Sequence, residues 1–282
     1  MSATALTLPD VRAVGVGRSA EIVGAWLLGI FWMLPLLWAV WSAIHPAAAS
    51  GQPGLFAPLT LQNFVAAWNT APFGRYMANT LVLVSMVMAA QFVLCTPAAF
   101  AFARMNFPGR DALFALVLVQ LMVSPQVLLE ANYQTIGRLG LVDSLSGIAL
   151  PYLGSAFGIF LLRQAFRTIP QELDDAAKLA GLGVLRRIWH LYVPLARPTY
   201  IAYGLVLVSF HWNNFLWPLV ITNSVSKRPI TVGLAMFSTT DQGTDWSIIT
   251  AATLLSTAPL VVAFLLFQRQ FVQSFIRARA GA

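Results

Sequence analysis

Glu172-Leu173-Asp174-Asp175-Ala176-Ala177-Lys178-Leu179-Ala180-Gly181, followed after nine residues by Leu191-Tyr192-Val193-Pro194, is a charged, helix-forming island in a chain of a different character. Around it the chain is 58% hydrophobic and only 10% charged, with a mean hydropathy of +0.73. These values lie far from the soluble globular average and predict a polytopic membrane protein.

Marking every charged residue leaves six uncharged windows, 22–74, 76–103, 112–129, 144–162, 198–226 and 246–268. Each has at least the roughly 18 residues that a spanning helix needs. The first window holds one span plus a loop, because Ile22 to Ile44 is apolar whereas His45 to Pro58 carries Pro46, Gly51, Pro53, Gly54 and Pro58. The spans are expected near 22–44, 77–102, 112–129, 147–166, 199–220 and 248–268. The windows are continuous apolar runs rather than alternating ten-residue segments, which argues against a β-barrel. Helices remain, since lipid offers no partner for open backbone groups.

The Lys and Arg residues set the expected orientation. With the N-terminus inside, thirteen lie on the cytoplasmic side: Arg12, Arg18, Arg104, Arg110, Arg163, Arg167, Lys178, Arg186, Arg187, Arg197, Arg269, Arg277 and Arg279. Four lie opposite, Arg75, Arg138, Lys227 and Arg228. This places the island and both termini (1–21 and 269–282) in the cytoplasm. It also accounts for the net charge of +7 as topology anchoring, without nucleic acid. The first span is too long for a signal h-region and is read as retained. The single Cys95, mid-way along the second span, excludes an intrachain disulfide and is read as a packing residue.

Within the island, Leu173, Ala176, Ala177 and Ala180 share one helical face, and Gly181-Leu182-Gly183 interrupts it. The same spacing returns at Leu185, Ile188, Trp189 and Tyr192, before Pro194 and Pro198. Helix, turn, helix is the result, with Glu172, Asp174 and Asp175 favouring the positive end of the first dipole and Arg186, Arg187 and His190 decorating the second. A DNA-reading helix-turn-helix shares this outline, but both ends here are tied to membrane spans. Periodicity alone leaves an ordinary solvated loop equally open.

The spacing resembles the cytoplasmic EAA loop of permease subunits of binding-protein-dependent ABC importers: Glu-Ala-Ala, three residues, Gly, nine residues, Ile, one residue, Leu-Pro. Here it reads Asp175-Ala176-Ala177, Gly181 and Leu191-Tyr192-Val193-Pro194, with Asp for Glu, Leu for Ile and Val for Leu. Ala180 stands where many sugar permeases carry Asp. Ala99-Phe100-Ala101-Phe102-Ala103-Arg104 with Phe107-Pro108-Gly109-Arg110, Leu139 to Ser144, Leu150-Pro151-Tyr152, Gly158 to Gln164, Phe166 to Leu173 and Trp212 to Pro218 are similar to MalG-type carbohydrate permeases. The likeness runs from about residue 70 to 275.

The resemblance implies an all-α membrane protein of the type I ABC importer permease fold, with six transmembrane helices. It implies a coupling helix pair at 170–194, between helices 4 and 5, with Glu172, Asp175, Ala176, Ala177, Gly181, Leu191 and Pro194 meeting the ATPase. The implied partners are a second permease of the MalF type, two ATPase subunits that bind ATP and Mg, an extracytoplasmic binding protein and membrane lipid. The implied place is the bacterial inner membrane.

The two lysines, Lys178 and Lys227, lie in no Gly-x-x-x-x-Gly-Lys-Ser/Thr loop. His45, His190 and His211 show no metal-ligand spacing. No catalytic or metal site is expected, and no cofactor is expected in this chain itself.

For solute contact the candidates are His211, Trp212, Asn213, Asn214 and Trp217 in the fifth span, with Gln126 and Glu130 at the end of the third. Polar groups in a bilayer face a cavity or one another, and amides beside aromatic faces suit sugar hydroxyls and ring faces. Helix packing, with the Asn residues bonding across a bundle and Trp217 in an interfacial belt, is the simpler reading of the fifth-span residues. The external loop 221–247 is expected to meet the binding protein. Its Gly243-Thr244-Asp245-Trp246 run is similar to glycerol-3-phosphate permeases and keeps that ligand open beside a neutral sugar. An ion-coupled transporter or channel would bury ionisable residues in its spans, and of the three histidines only His211 falls within an expected span. A membrane-embedded enzyme would need a clustered metal or nucleophile constellation, which the sequence does not offer.

Overall fold

The computed structural model of the chain describes residues 13–46, 58–235, 237 and 245–280. Arg12, most of the expected first external loop and Thr239 to Thr244 lie outside these residues. The elements in order are α1 (Ala13–Ala43), α2 (Gln62–Thr70), α3 (Phe73–Arg104), α4 (Arg110–Val119), α5 (Leu129–Arg138), α6 (Leu145–Ala149), α7 (Ala156–Arg167), α8 (Gln171–Leu179), α9 (Val184–Arg187), α10 (Val193–Leu195), α11 (Arg197–Trp212), α12 (Leu216–Ile221), α13 (Ile230–Ala235) and α14 (Trp246–Ala280). The described residues are helical or in connections between helices.

Among the described residues, three helices are long and apolar enough to cross a membrane: Glu21–Ala43, Phe73–Arg104 and Trp246–Leu266. At 1.5 Å per residue α3 runs for about 48 Å, longer than the hydrocarbon core, so its Arg104 end projects past the apolar region. Pro35, Pro97 and Pro259 sit inside these helices, as spanning helices tolerate.

The other three windows do not form the single helices expected of them. For 112–129, the helix passes into a 3-10 turn at Gln120–Met122 and Val123 turns extended at φ −88, ψ 118. Pro125 stops the helix from continuing, because its ring would clash with the carbonyl four residues back, it has no N–H for the ladder, and it disfavours helical backbone at Ser124. For 147–166, Leu145–Tyr152 and Ala156–Arg167 meet at a 50° bend. Ser144 and Ser155 each start a new segment by accepting a backbone N–H, from Gly147 at 3.0 Å and Gly158 at 3.1 Å. For 199–220, α11 stops at Trp212 and α12 restarts at Leu216. Pro218 has no N–H for the Asn214 carbonyl, and that carbonyl instead accepts the Thr231 hydroxyl at 2.8 Å.

The described residues form two compact units, one of residues 13–46 and 58–66 with 245–254, the other of residues 67–235 and 237 with 255–280. In the first, Asn63 Nδ2 donates to the carbonyls of Ala43 and His45, both at 2.8 Å, satisfying the open end of α1. The ring of Trp38 meets Trp246 edge-on at 6.5 Å.

In the second unit α3 is the central post. Gln91, buried on α3, donates to the Tyr152 carbonyl at 2.7 Å and accepts the Tyr203 hydroxyl, so one amide holds the end of the segment that begins with α6 and also holds α11. Thr96 and Tyr200 share a hydrogen bond of 2.7 Å. Interhelical polar bonds of this kind replace the hydrophobic drive that lipid does not provide. Gly158 lets α7 and α11 approach: a Cβ there would lie 2.1 Å from the Tyr203 oxygen. Two apolar clusters flank the post. One joins Cys95, Ala99 and Phe100 to Leu162, Phe166, Ile188 and Tyr192, and so roots the island in the bundle. The other joins Leu83 and Val87 to Ile136, Ile148, Trp217 and Ile221.

Candidate translocation and coupling sites

The breaks in the third, fourth and fifth windows converge on one cavity of about 410 Å³. It is lined by Pro125, Gln126, Leu129 and Asn132, by Tyr152, and by Phe210 and Asn213 to Trp217. Gln126, Asn213, Asn214 and Trp217 are therefore brought together. Asn214 Nδ2 donates to the Tyr152 hydroxyl at 3.0 Å, and Asn213 Nδ2 donates to the Ser209 carbonyl at 2.8 Å. Each amide uses its NH2 on the protein and keeps an oxygen for other work. Ser124 donates to the Gln126 side-chain oxygen.

The remaining candidates fall elsewhere. Trp212 is buried and donates its indole N–H to the Ser256 carbonyl at 3.1 Å. His211 is buried with its ring edge-on to Tyr152 at 4.9 Å. Glu130 lies outside the lining and accepts from Gln134 at 3.2 Å, one turn along α5. Trp217 does both jobs: it lines the cavity while its indole donates to the Ile148 carbonyl at 3.1 Å. Asn132 and Tyr152 are additional lining residues. Tyr152 stands in the family-like Leu150-Pro151-Tyr152 stretch and Asn132 two residues after Glu130, but the sequence singles out neither as a solute contact, because the bend between Leu145–Tyr152 and Ala156–Arg167 is not visible in it.

The island folds as two arms. Pro170 precedes α8 and the acidic Glu172 and Asp174 occupy its first turn. Gly181, at φ +77, closes the arm, with its N–H on the Lys178 carbonyl at 2.9 Å and the Leu182 N–H on the Ala177 carbonyl at 3.0 Å. This pair of bonds is the Schellman ending, for which a left-handed glycine is the natural residue. The second arm runs through α9, a π-helical turn at Ile188–Tyr192 and α10. Pro194 has no N–H for a bond to His190, and the ladder widens there.

The faces differ from the simple periodic reading. Asp174 and Ala177 are the buried positions of α8, whereas Glu172, Leu173, Asp175, Ala176, Leu179 and Ala180 are exposed. On the second arm Ile188 and Tyr192 are buried, but Leu185 and Trp189 are exposed, and Arg187, expected as decoration, is turned inward. Charge pairing decided this: Arg187 donates to Asp174 at 2.7 Å, and a buried carboxylate demands a partner. Leu191 is partly buried against the bundle cluster and Pro194 is exposed. Lys178 lies 3.0 Å from Asp174 and 2.9 Å from Asp175. Burial works against the Asp174 charge, but its bonds to Lys178 and Arg187 outweigh this and hold its pKa below the usual carboxylate value. Lys178 and Gln171 likewise lower that of Asp175. Arg104 clamps the foot of the loop through the carbonyls of Phe166, at 2.7 Å, and Ile169, with Gln171 at 2.7 Å.

Residues 95–277, which contain the island and the cavity, match the family model for the inner membrane component of binding-protein-dependent transport systems. The chain belongs to that family. It is an ABC importer permease, and it carries the type I permease fold. Permeases of this family work with a binding protein and further ABC subunits in a membrane.

Among its relatives is the sn-glycerol-3-phosphate transport system permease protein UgpE of Yersinia pestis, 31% identical over 88% of this chain and 93% of that one. The protein of the same name from Shigella flexneri is 30% identical over 86% and 91%. A crystal structure of a bacterial ABC transporter involved in import of the acidic polysaccharide alginate superposes with a TM-score of 0.81, at 22% identity. That match covers 95% of this chain and 100% of the other.

Proposed function

We propose that this permease forms one half of the membrane path for a neutral sugar or related polyol, handed over by an extracytoplasmic binding protein. The observation that carries this reading is the cavity at the helix breaks: amide and phenol groups beside Phe210, Phe215 and Trp217, with no charged residue among the described residues of its lining. Amides bond hydroxyls without a net charge, and aromatic faces cover the apolar side of a sugar ring. A second, related permease subunit completes the path. Six crossings, with both termini cytoplasmic, follow from the windows and the distribution of arginine.

The 170–194 helices dock on separate ATPase subunits, which bind ATP and Mg, and the residues placed there are Glu172, Asp175, Ala176, Ala177, Gly181, Leu191 and Pro194. ATP binding closes the ATPase pair, the helices move with it, and the spans open outward. Differential contact of the helices with the two ATPase states supplies the shift in equilibrium. The hydrolytic chemistry belongs to those subunits.

The relatives named for sn-glycerol-3-phosphate favour a second reading, a phosphate ester as solute. A phosphate is best held by Arg, Lys or converging backbone N–H groups, so in that case the second permease subunit supplies the cation. Uptake in proteoliposomes separates the two. With the importer reassembled from the neighbouring coding regions, Asn213→Ala and Asn214→Ala are expected to weaken uptake of the neutral solute by about tenfold, the loss of one or two bonds to it. Unchanged affinity and selectivity in both variants returns these residues to helix packing. Calorimetry on the binding protein, titrated with neutral sugars and with glycerol-3-phosphate, names the class.

A further inference from the structure

Asp174 carries a charge where a docking loop has little use for one. Its side chain is 2% exposed, yet Oδ1 receives Arg187 Nη1 at 2.7 Å and Oδ2 receives Lys178 Nζ at 3.0 Å. The bond to Arg187 joins residues thirteen apart and crosses the Gly181 turn, so it ties the first arm directly to the second. Arg187 is itself buried, and its guanidinium lies 5.6 Å from the centre of the Phe100 ring on α3. Further along the second arm, the fully buried Tyr192 stands edge-on to Phe100 at 4.9 Å and to Phe166 at 5.3 Å. The Arg104 guanidinium lies 5.4 Å from the centre of the Tyr192 ring.

A buried ion pair is a weak source of stability, because desolvation offsets the attraction. What it does enforce is relative placement, since separating the partners strands a buried charge. The segment between the arms is Gly181-Leu182-Gly183, whose glycines give it the backbone freedom to act as a hinge. With the pair in place the hinge is bridged.

We propose that Asp174 is a positioning residue that makes α8 and the second arm swing as one body, with Arg187 delivering that motion to Phe100 of α3. This rests on the island being the ATPase-docking element. A push at the outer tip, where Leu179 is 91% exposed, then moves the spanning helix instead of bending the Gly181 turn.

The test uses the whole importer in proteoliposomes, with solute uptake and ATP hydrolysis measured in the same vesicles. Asp174→Asn and Arg187→Gln are each expected to lower solute moved per ATP by about tenfold, within the usual range of a coupling energy, with insertion and assembly preserved. The charge exchange Asp174→Arg with Arg187→Asp is expected to recover most of that ratio, which a general packing defect would not allow. Lys178→Gln, which removes the half-exposed partner, is expected to stay within about twofold. A normal ratio in Asp174→Asn, or an assembled charge exchange no better than the single variants, overturns the brace. Cross-linking from Leu179→Cys to the ATPase subunit keeps the two ideas apart. A cross-link together with an unaffected Asp174→Asn sinks the brace alone, whereas no cross-link in an otherwise native chain sinks the docking reading beneath it.

Discussion

Gly158 and Gly204 face opposite consequences from the same added methyl group. At Gly158 a Cβ would lie 2.1 Å from the Tyr203 oxygen and 2.5 Å from Cζ, whereas at Gly204 the nearest atom is Phe92 Cζ at 3.5 Å. Gly158→Ala must displace the tyrosine that bonds Gln91, and a loss of about 1–3 kcal/mol is expected from overpacking. Gly204→Ala is expected to be neutral or stabilising by up to about 1 kcal/mol through helix propensity. Thermal unfolding of the two variants in detergent, side by side, checks the contrast. At Gly181 no atom lies within 4 Å of the added Cβ, so the cost of Gly181→Ala is the left-handed backbone alone, about 1–2 kcal/mol. Such distinctions are invisible in the sequence, where all three are single glycines in apolar or helical surroundings. The Gly181 turn alone was legible, because the Gly181-Leu182-Gly183 run interrupts a helical face.

At the scale of elements, two loops are joined by Asp143, itself at φ +60. Its carboxylate accepts the Ser224 hydroxyl and the backbone N–H groups of Ser224 and Asn223, both at 2.9 Å. The Ser224 hydroxyl and N–H are the main cause of its lowered pKa. The contribution to stability is therefore complete above the ordinary carboxylate value of 3.8 and is lost as pH falls through the lower folded value. Asp174 follows the same sign, since its pKa is also held down. Hydrogen exchange of the 222–225 and 171–194 segments is expected to be insensitive to protonation of these carboxylates between about pH 6 and 8. Opening is expected only in acid, and Asp143→Asn should remove the acid step in the first segment. Within the island, Ala177→Asp or Gly181→Asp is expected to abolish coupled transport while leaving insertion intact. The first puts a second carboxylate beside buried Asp174, and the second strains the Schellman turn. Uptake and membrane content measured on the same preparations decide it.

Across the whole molecule, the interruptions do the work that an uninterrupted six-helix bundle could not. The chain breaks before Pro125, at the Leu153–Ser155 bend and between Trp212 and Leu216, and the freed polar groups find partners, as with Asn214 on Tyr152 and Thr231. Broken backbone at membrane depth is sustained only where protein or a cavity surrounds it. Restoring a continuous third helix by Pro125→Ala is expected to narrow the cavity and lower uptake by more than about tenfold, with the island's ATPase contact retained. Uptake set against binding-protein-stimulated ATP hydrolysis is the relevant comparison.

The sequence by itself determined the class of this protein, the apolar windows, the break between the two arms at Gly181 and the family. Each of these depends on composition or short-range spacing along one chain. It also placed Gln126, Asn213, Asn214 and Trp217 among the candidates, because polar groups in apolar runs stand out against their neighbours. Tertiary structure alone decided which polar groups share the cavity, that Trp212 and His211 are buried outside its lining, and that Asp174 and Arg187 turn inward to meet. A carboxylate and a guanidinium thirteen residues apart look like solvated surface until a turn brings them together. Whether a charge is exposed or buried depends on what the rest of the chain places over it, and that is a property of packing that local spacing does not encode.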